Sequence, residues 1–286
     1  MQRYEKFLYL CRVFKRKSNF KHSKMKKTFR LIALAVMLIM GGQAMAQTRG
    51  ALFVGASFPV KDFADFDNFN EFALTSTDAD DDDAGAGIGF NLGLKWYFNV
   101  GVKGLGVMLS ADGFYNGPNA DLKSAYREAE SSFNGNIYNS SFTYNSKPQY
   151  FNVPVMLGLN YIYHVNPNFG LYVEAGVGGN MRFITEMETV GVSKFSVLGI
   201  EGQTKTTTTQ KYDMGFGFAY QAGIGIEVAK NLVIGCSFYD LGSTKVKGDQ
   251  TIKVVENNGS PATTNKYNEY GKVHPMMVLA RIGFSF

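Results

Sequence analysis

Eight stretches of the chain alternate apolar with small or polar residues, one residue to each side. That is the two-residue period of a strand whose faces meet different surroundings. The last stretch, 274–286, is the clearest in its consequences. Met276, Val278, Ala280, Ile282, Phe284 and Phe286 share one face, while Arg281, Gly283 and Ser285 share the other, with Met277 and Leu279 as apolar exceptions. Earlier stretches repeat the pattern over 49–58, 87–98, 104–116, 150–163, 169–184, 214–228 and 232–241. In the second, Ile88, Phe90, Leu92, Leu94, Trp96 and Phe98 alternate with Gly87, Gly89, Asn91, Gly93, Lys95 and Tyr97. In the first, Phe53 breaks the otherwise small inner face. Pro154 in the fourth removes a ladder donor and predicts a bulge or kink there.

The connections alternate in length. Short ones span 99–103, 164–168 and 229–231, and long polar ones span 59–85, 117–148, about 185–212 and 242–272. This predicts an all-β fold, an eight-stranded antiparallel transmembrane up-and-down β-barrel. Its termini and short turns are expected in the periplasm and its long loops outside the cell. A soluble barrel or sandwich needs no apolar outward face. A closed barrel pairs every backbone polar group, as lipid requires. Aromatics on the outward parity predict two interfacial girdles: Trp96, Phe98, Tyr161, Tyr163, Phe284 and Phe286 at one end, Phe58, Phe183, Phe216 and Phe218 at the other.

The front of the chain reads differently. Met25 begins a basic segment, Leu31–Met40 is an unbroken apolar run, and Ala44-Met45-Ala46 is a small-x-small site. This predicts a secretory signal peptide over 25–46, cleaved after Ala46, with 1–24 a basic extension ahead of it. The apolar run is too short to span a bilayer. The expected domains are therefore 1–46 for export and 47–286 for the barrel.

Removing the export segment reverses the charge. Residues 1–46 hold 11 Lys/Arg and one acid, so the remainder carries 18 basic and 23 acidic residues, net −5. The basic balance of the whole chain thus gives no reason to expect a nucleic-acid partner. Only Cys236 remains in the barrel region, so no internal disulfide is expected there. The 32 Gly, 24 Phe and 16 Tyr suit strands crowded within and lipid-facing without.

The inward parity places Lys95, Asp112, Glu174, Arg182, Glu227 and Arg281 in the lumen. An eight-stranded barrel is only wide enough for side chains to fill, and buried charges must pair. These six residues are expected to form a lumen charge network, with Arg281 pairing with Glu174 or Glu227. A narrow gated pore is the functional alternative to such a plug.

Other chemistry is thinly represented. The acidic run Asp78 to Asp83 begins like a calcium loop, but Asp83 stands where Gly is needed and Gly89 where Glu is needed, so a solvated loop is expected. A hydrolytic barrel would need a His near the outer rim. His164 lies in a short turn and His274 opens the last strand, and neither sits in a catalytic motif. No cofactor, metal site or enzymatic activity is expected.

Val153-Pro154-Val155 in the fourth stretch and Tyr172-Val-Glu174-Ala-Gly176 in the fifth carry a resemblance. They resemble the outer-membrane β-barrel domain family common in Bacteroidetes, PorT-like within the OmpA-OmpX-like eight-stranded barrels. The resemblance implies an outer-membrane location in a Gram-negative cell and no particular activity. Phe284-x-Phe286 matches the terminal signal read by the barrel-assembly machinery, although Arg281 stands where Gly is usual. The expected partners are outer-membrane lipid and that machinery, with any extracellular ligand open. No cell-wall tether is expected after the barrel. A structural or surface role is the first reading, a narrow passive pore or loop-mediated adhesin the alternative.

Overall fold

Strands dominate the structure, a computed structural model that describes residues 48–66, 84–136, 140–197, 200–229, 231–256 and 263–286. The expected export segment, 1–46, and the Asp78–Asp83 run lie outside the described residues. In chain order the first elements are β1 (Thr48–Pro59), β2 (Ala86–Asn99), β3 (Leu105–Pro118), helix α1 (Ala120–Asn136) and β4 (Ser140–Ser146). Next come β5 (Tyr150–Asn166), β6 (Phe169–Ile184), β7 (Met187–Val197), β8 (Ile200–Tyr212) and β9 (Gly215–Val228). The last are β10 (Leu232–Asp240), β11 (Thr244–Glu256), β12 (Thr263–Val273) and β13 (Met276–Ser285).

The eight alternating stretches become β1, β2, β3, β5, β6, β9, β10 and β13, which close into an antiparallel barrel. The ladder fixes its shape. From Thr48 the pairing runs through Phe98, Val107, Leu159, Ala175, Ala222, Phe238 and Val278 to Phe58, ten residues further along β1. A stagger of that size tilts the strands by roughly 35–45° and leaves an interior that side chains can fill. Both ends of the described barrel chain, Thr48 and Phe286, and the three short turns lie at one end, called here the turn end.

Period two sorts the side chains as the sequence predicts. Leu52, Leu92, Leu157, Val173, Ile224 and Ile282 point outward and stay exposed, while Phe53, Lys95, Met108, Glu174 and Arg281 point inward and are buried. Phe53 is therefore no defect in β1. It is fully buried, with the Lys95 and Arg281 cations over its ring. Inward glycines make room for such side chains: a Cβ on Gly235 would lie 2.0 Å from the Tyr172 hydroxyl.

Two expectations fail. Pro154 makes no bulge: pairing of β5 with β3 lapses between Val155 and Asn152 but resumes in the same register, and pairing with β6 is continuous. The missing donor is tolerated by skipping a bond instead of shifting the strand. The long connections are also more than polar loops. Three of them supply β4, β7, β8, β11 and β12, a second sheet in the order β12-β11-β8-β7-β4.

Helix α1 belongs to this cap. The Asn119 side chain accepts the Leu122 N–H at 2.8 Å, a capping bond at the helix start. Leu122, Tyr126 and Ala129 recur at helical spacing and bury against Tyr144 and Met187. The Tyr126 and Tyr144 rings lie 4.5 Å apart. Burial pushes the Tyr126 hydroxyl well above its ordinary titration range.

Candidate functional site: the filled lumen and its cap

Glu174 on β6 is the centre of the lumen. Its Oε1 accepts from Lys95 Nζ on β2 at 2.5 Å and from Arg281 Nη2 on β13. All three side chains are fully buried. The Tyr97 hydroxyl donates to the other carboxylate oxygen at 3.5 Å. Arg281 extends the network upward by donating from Nη1 to the Tyr239 hydroxyl at 3.2 Å. Tyr239 in turn donates to Asp112 at 3.1 Å, and Asn91 reaches the same carboxylate at 3.4 Å. Two cations and two carboxylates thus share one hydrogen-bonded cluster, held from five strands.

Four of the six sequence-derived candidates, Lys95, Asp112, Glu174 and Arg281, therefore meet. The other two do not join them. Glu227 sits at the turn end and pairs with Arg49 at 2.5 Å, leaving Arg281 to Glu174. Arg182 sits near the cap, where it donates to the Val273 carbonyl at 2.8 Å and the Thr244 carbonyl at 3.3 Å. It ties the roots of the last long connection to the barrel wall. Phe284 and Phe286 are exposed on the outer wall at the turn end.

Tyr239, Tyr97, Phe53 and Asn91 are functional neighbours that charge parity alone overlooks, because neutral rings and amides announce no partner. Arg49, a charge on the inward parity of β1, is a further partner that the same parity would have reached. A further contact lies at the rim, where His274 Nε2 and Asp240 Oδ1 stand 2.8 Å apart and Tyr220 donates to the same carboxylate at 2.6 Å. His274 is thus a partnered residue and not a bare surface one. Among the described residues no group of three or more His, Cys, Asp or Glu is placed to hold a metal ion.

The lumen is filled above and below the ion cluster. Toward the turn end Phe53, Tyr97, Met108, Tyr172 and Val233 pack together. Toward the cap Phe114, Met156, Tyr239, Met277 and Leu279 continue into Phe63, Leu241, Val246 and Val273. Phe63 meets Tyr150 edge-on with ring centres 5.4 Å apart, and the Tyr150 hydroxyl donates to the Ala84 carbonyl at 2.7 Å. Phe63 and Ala84, from the described ends of the first long connection, thereby pack at the mouth of the barrel. Such an interior excludes a wide aqueous channel.

Outside, every barrel strand presents apolar side chains. Phe151, Val155, Leu157, Leu159, Tyr161 and Tyr163 on β5 are all exposed. From Phe151 to Tyr163, a strand rising ~3.3 Å per residue and tilted ~40° climbs roughly 30 Å along the barrel axis. That height matches the hydrocarbon core of a bilayer. Among the described residues no helix is long and apolar enough to cross a membrane, which says nothing of strands.

No family model matches the chain, and no curated protein matches it. Solved structures do align with it. A major outer membrane protein from Thermus thermophilus aligns at 10% identity over 84% of this chain and 100% of its own, with a TM-score of 0.40. OprG from Pseudomonas aeruginosa aligns at 12% identity over 83% and 95%, with a TM-score of 0.36. Ail, the attachment invasion locus protein of Yersinia pestis, aligns at 14% identity over 84% and 99%, with a TM-score of 0.35.

Proposed function

We propose that this chain is an integral outer-membrane protein whose sealed barrel is a membrane anchor and whose cap is displayed at the cell surface. The carrying observation is the pairing of a wholly apolar outer wall with a charged, filled interior. Water would penalise that wall, because each large side chain left exposed forgoes ~1.5–3 kcal/mol of burial. Lipid reverses the sign, and the closed ladder leaves no edge to satisfy. The turn end, with both termini, faces the periplasm in this reading. Phe284 and Phe286 are offered there to the barrel-assembly machinery. The Val153-Pro154-Val155 and Tyr172-x-Glu174-x-Gly176 strands support membership of the Bacteroidetes-type family. The role is structural or surface-directed, without catalysis.

Conductance tests the sealed lumen. Pure protein inserted into a planar bilayer is expected to give no stable stepwise current, and large steady channels would reject the anchor in favour of a pore. Topology is tested on cells. An epitope inserted at the β7–β8 connection is expected to be detected on intact cells, and one inserted beside Asn231 only after the outer membrane is opened. The reverse pattern would overturn the orientation.

A binding role for the cap is the second reading, favoured by its ordered five-stranded sheet. A simple anchor needs no such platform.

A further inference from the structure

Among the described residues the cap sheet is covered on one face only. Tyr144, Met187 and Gln210 point to the side where α1 packs, and they are buried. Residues of the opposite parity form the second face, which is open among the described residues.

Lys205 on β8 occupies the middle of that open face. Its neighbours across the ladder are Val192 on β7 and Val255 on β11. Lys194 lies opposite Gln203, and Lys253 lies opposite Thr207. Lys194, Lys205 and Lys253 therefore run diagonally over three adjacent strands on one face. Diagonal neighbours of this kind stand ~7–8 Å apart. All three lysines are exposed, and among the described residues no carboxylate pairs with them. Nearer the barrel the same face carries both signs, with Lys211 directly opposite Asp249, Glu188 one strand away, and Lys245 and Lys247 further along β11. The row differs from that part of the face in having no acidic side chain beside it among the described side chains. Clustered like charges weaken a sheet unless an anion lies across them.

We propose that this row binds a linear acidic polysaccharide, one carrying carboxylate or sulfate groups along its length. The surroundings favour sugar over nucleic acid. Among the described side chains of this face none is aromatic, so bases have no ring to stack on. None is Arg, so phosphate has no bidentate fork. Thr207 between Lys205 and Lys253, and Thr143 and Thr251 beside the row on the same face, offer hydroxyls to match sugar hydroxyls. Val192 and Val255 offer flat apolar patches for the C–H faces of sugar rings. An open sheet face also admits a chain from the side, where a pocket would demand an end. The biological sense of the site rests on the cap facing outward from the cell, but the binding itself does not.

The test uses the mature chain in lipid nanodiscs, titrated at physiological salt with polygalacturonate oligomers, dextran sulfate oligomers and single-stranded DNA of matched length. At least one polysaccharide is expected to bind, more weakly as salt rises. The Lys194→Gln, Lys205→Gln, Lys253→Gln triple variant is expected to bind roughly tenfold more weakly. Lys123→Gln, an exposed change on α1, is expected to bind like the parent. Unaltered heat-modifiable migration of the triple variant shows that the barrel is intact, and unaltered protease resistance that the cap is. The proposal is overturned if neither polysaccharide binds, if DNA binds as tightly, or if the triple variant binds like the parent. Because the assay is independent of orientation, its failure leaves the epitope experiment on cells to judge the proposed topology by itself.

Discussion

Replacing Glu174 with Gln is expected to lower the stability of the folded barrel by about 3–5 kcal/mol, the usual cost of breaking a buried ion pair from one side. The geometry explains the size. Lys95 and Arg281 both donate to one carboxylate oxygen, so its neutralisation leaves two buried cations facing each other. Their remaining partners are neutral or distant: Gln221 at 3.5 Å from Lys95, and Tyr239 at 3.2 Å from Arg281. Arg281→Met should cost less, because Lys95 and Glu174 remain a matched pair. The joint replacement Lys95→Met, Asp112→Asn, Glu174→Leu, Arg281→Met removes all four charges of the cluster and should recover much of the loss. Urea unfolding from lipid vesicles measures each step. A Glu174→Gln variant as stable as the parent would mean that the cluster contributes nothing, and that the interior is wetter than its packing indicates.

The parity of these residues was open to reading in advance, but their partners were not. Lys95, Glu174, Glu227 and Arg281 all alternate inward, so sequence left Arg281 with two possible carboxylates. The stagger of the barrel decides between them. A ten-residue offset lifts Glu174 to the level of Lys95 and Arg281 and leaves Glu227 beside Arg49. That offset is a property of eight ladders together, and no single strand encodes it.

The barrel strands were legible for a physical reason, and the cap strands were hidden for the matching one. Lipid on one side and packed side chains on the other force a strict period of two, as in Phe216 to Val228 on β9. The strands of the cap carry polar residues on both faces, including the one that α1 covers. On β8 the run Thr206 to Thr209 is half-buried throughout, so its alternation carries no apolar signal. Helix α1 was hidden similarly, since its buried stripe among the described side chains is Leu122, Tyr126 and Ala129, set among charged neighbours. Phe53 misled in the opposite sense. A large ring on an inner face looks like a fault until two buried cations are found above it.

Leu157→Arg carries the sharpest test of lipid around the wall. Leu157 lies midway along the outward row from Phe151 to Tyr163, with Leu109 and Val177 as its ladder neighbours. All three point away from the lumen, so an arginine there cannot reach the Glu174 cluster. At the middle of a bilayer such a change costs ~2–4 kcal/mol, and near the interface ~0–1 kcal/mol. Leu157→Arg is therefore expected to be destabilising, and Phe151→Arg, at the rim of the same row, nearly silent. Water would treat both alike, because exposed substitutions on a soluble wall usually stay within about 0.5 kcal/mol of the parent. The difference between the two variants, measured as folding free energy in vesicles, thus reads the solvent of the wall directly. Cap packing, lumen charge and assembly signal are common to both and cancel in the comparison. Equal stabilities would remove the bilayer from the account, whatever the outward residues look like.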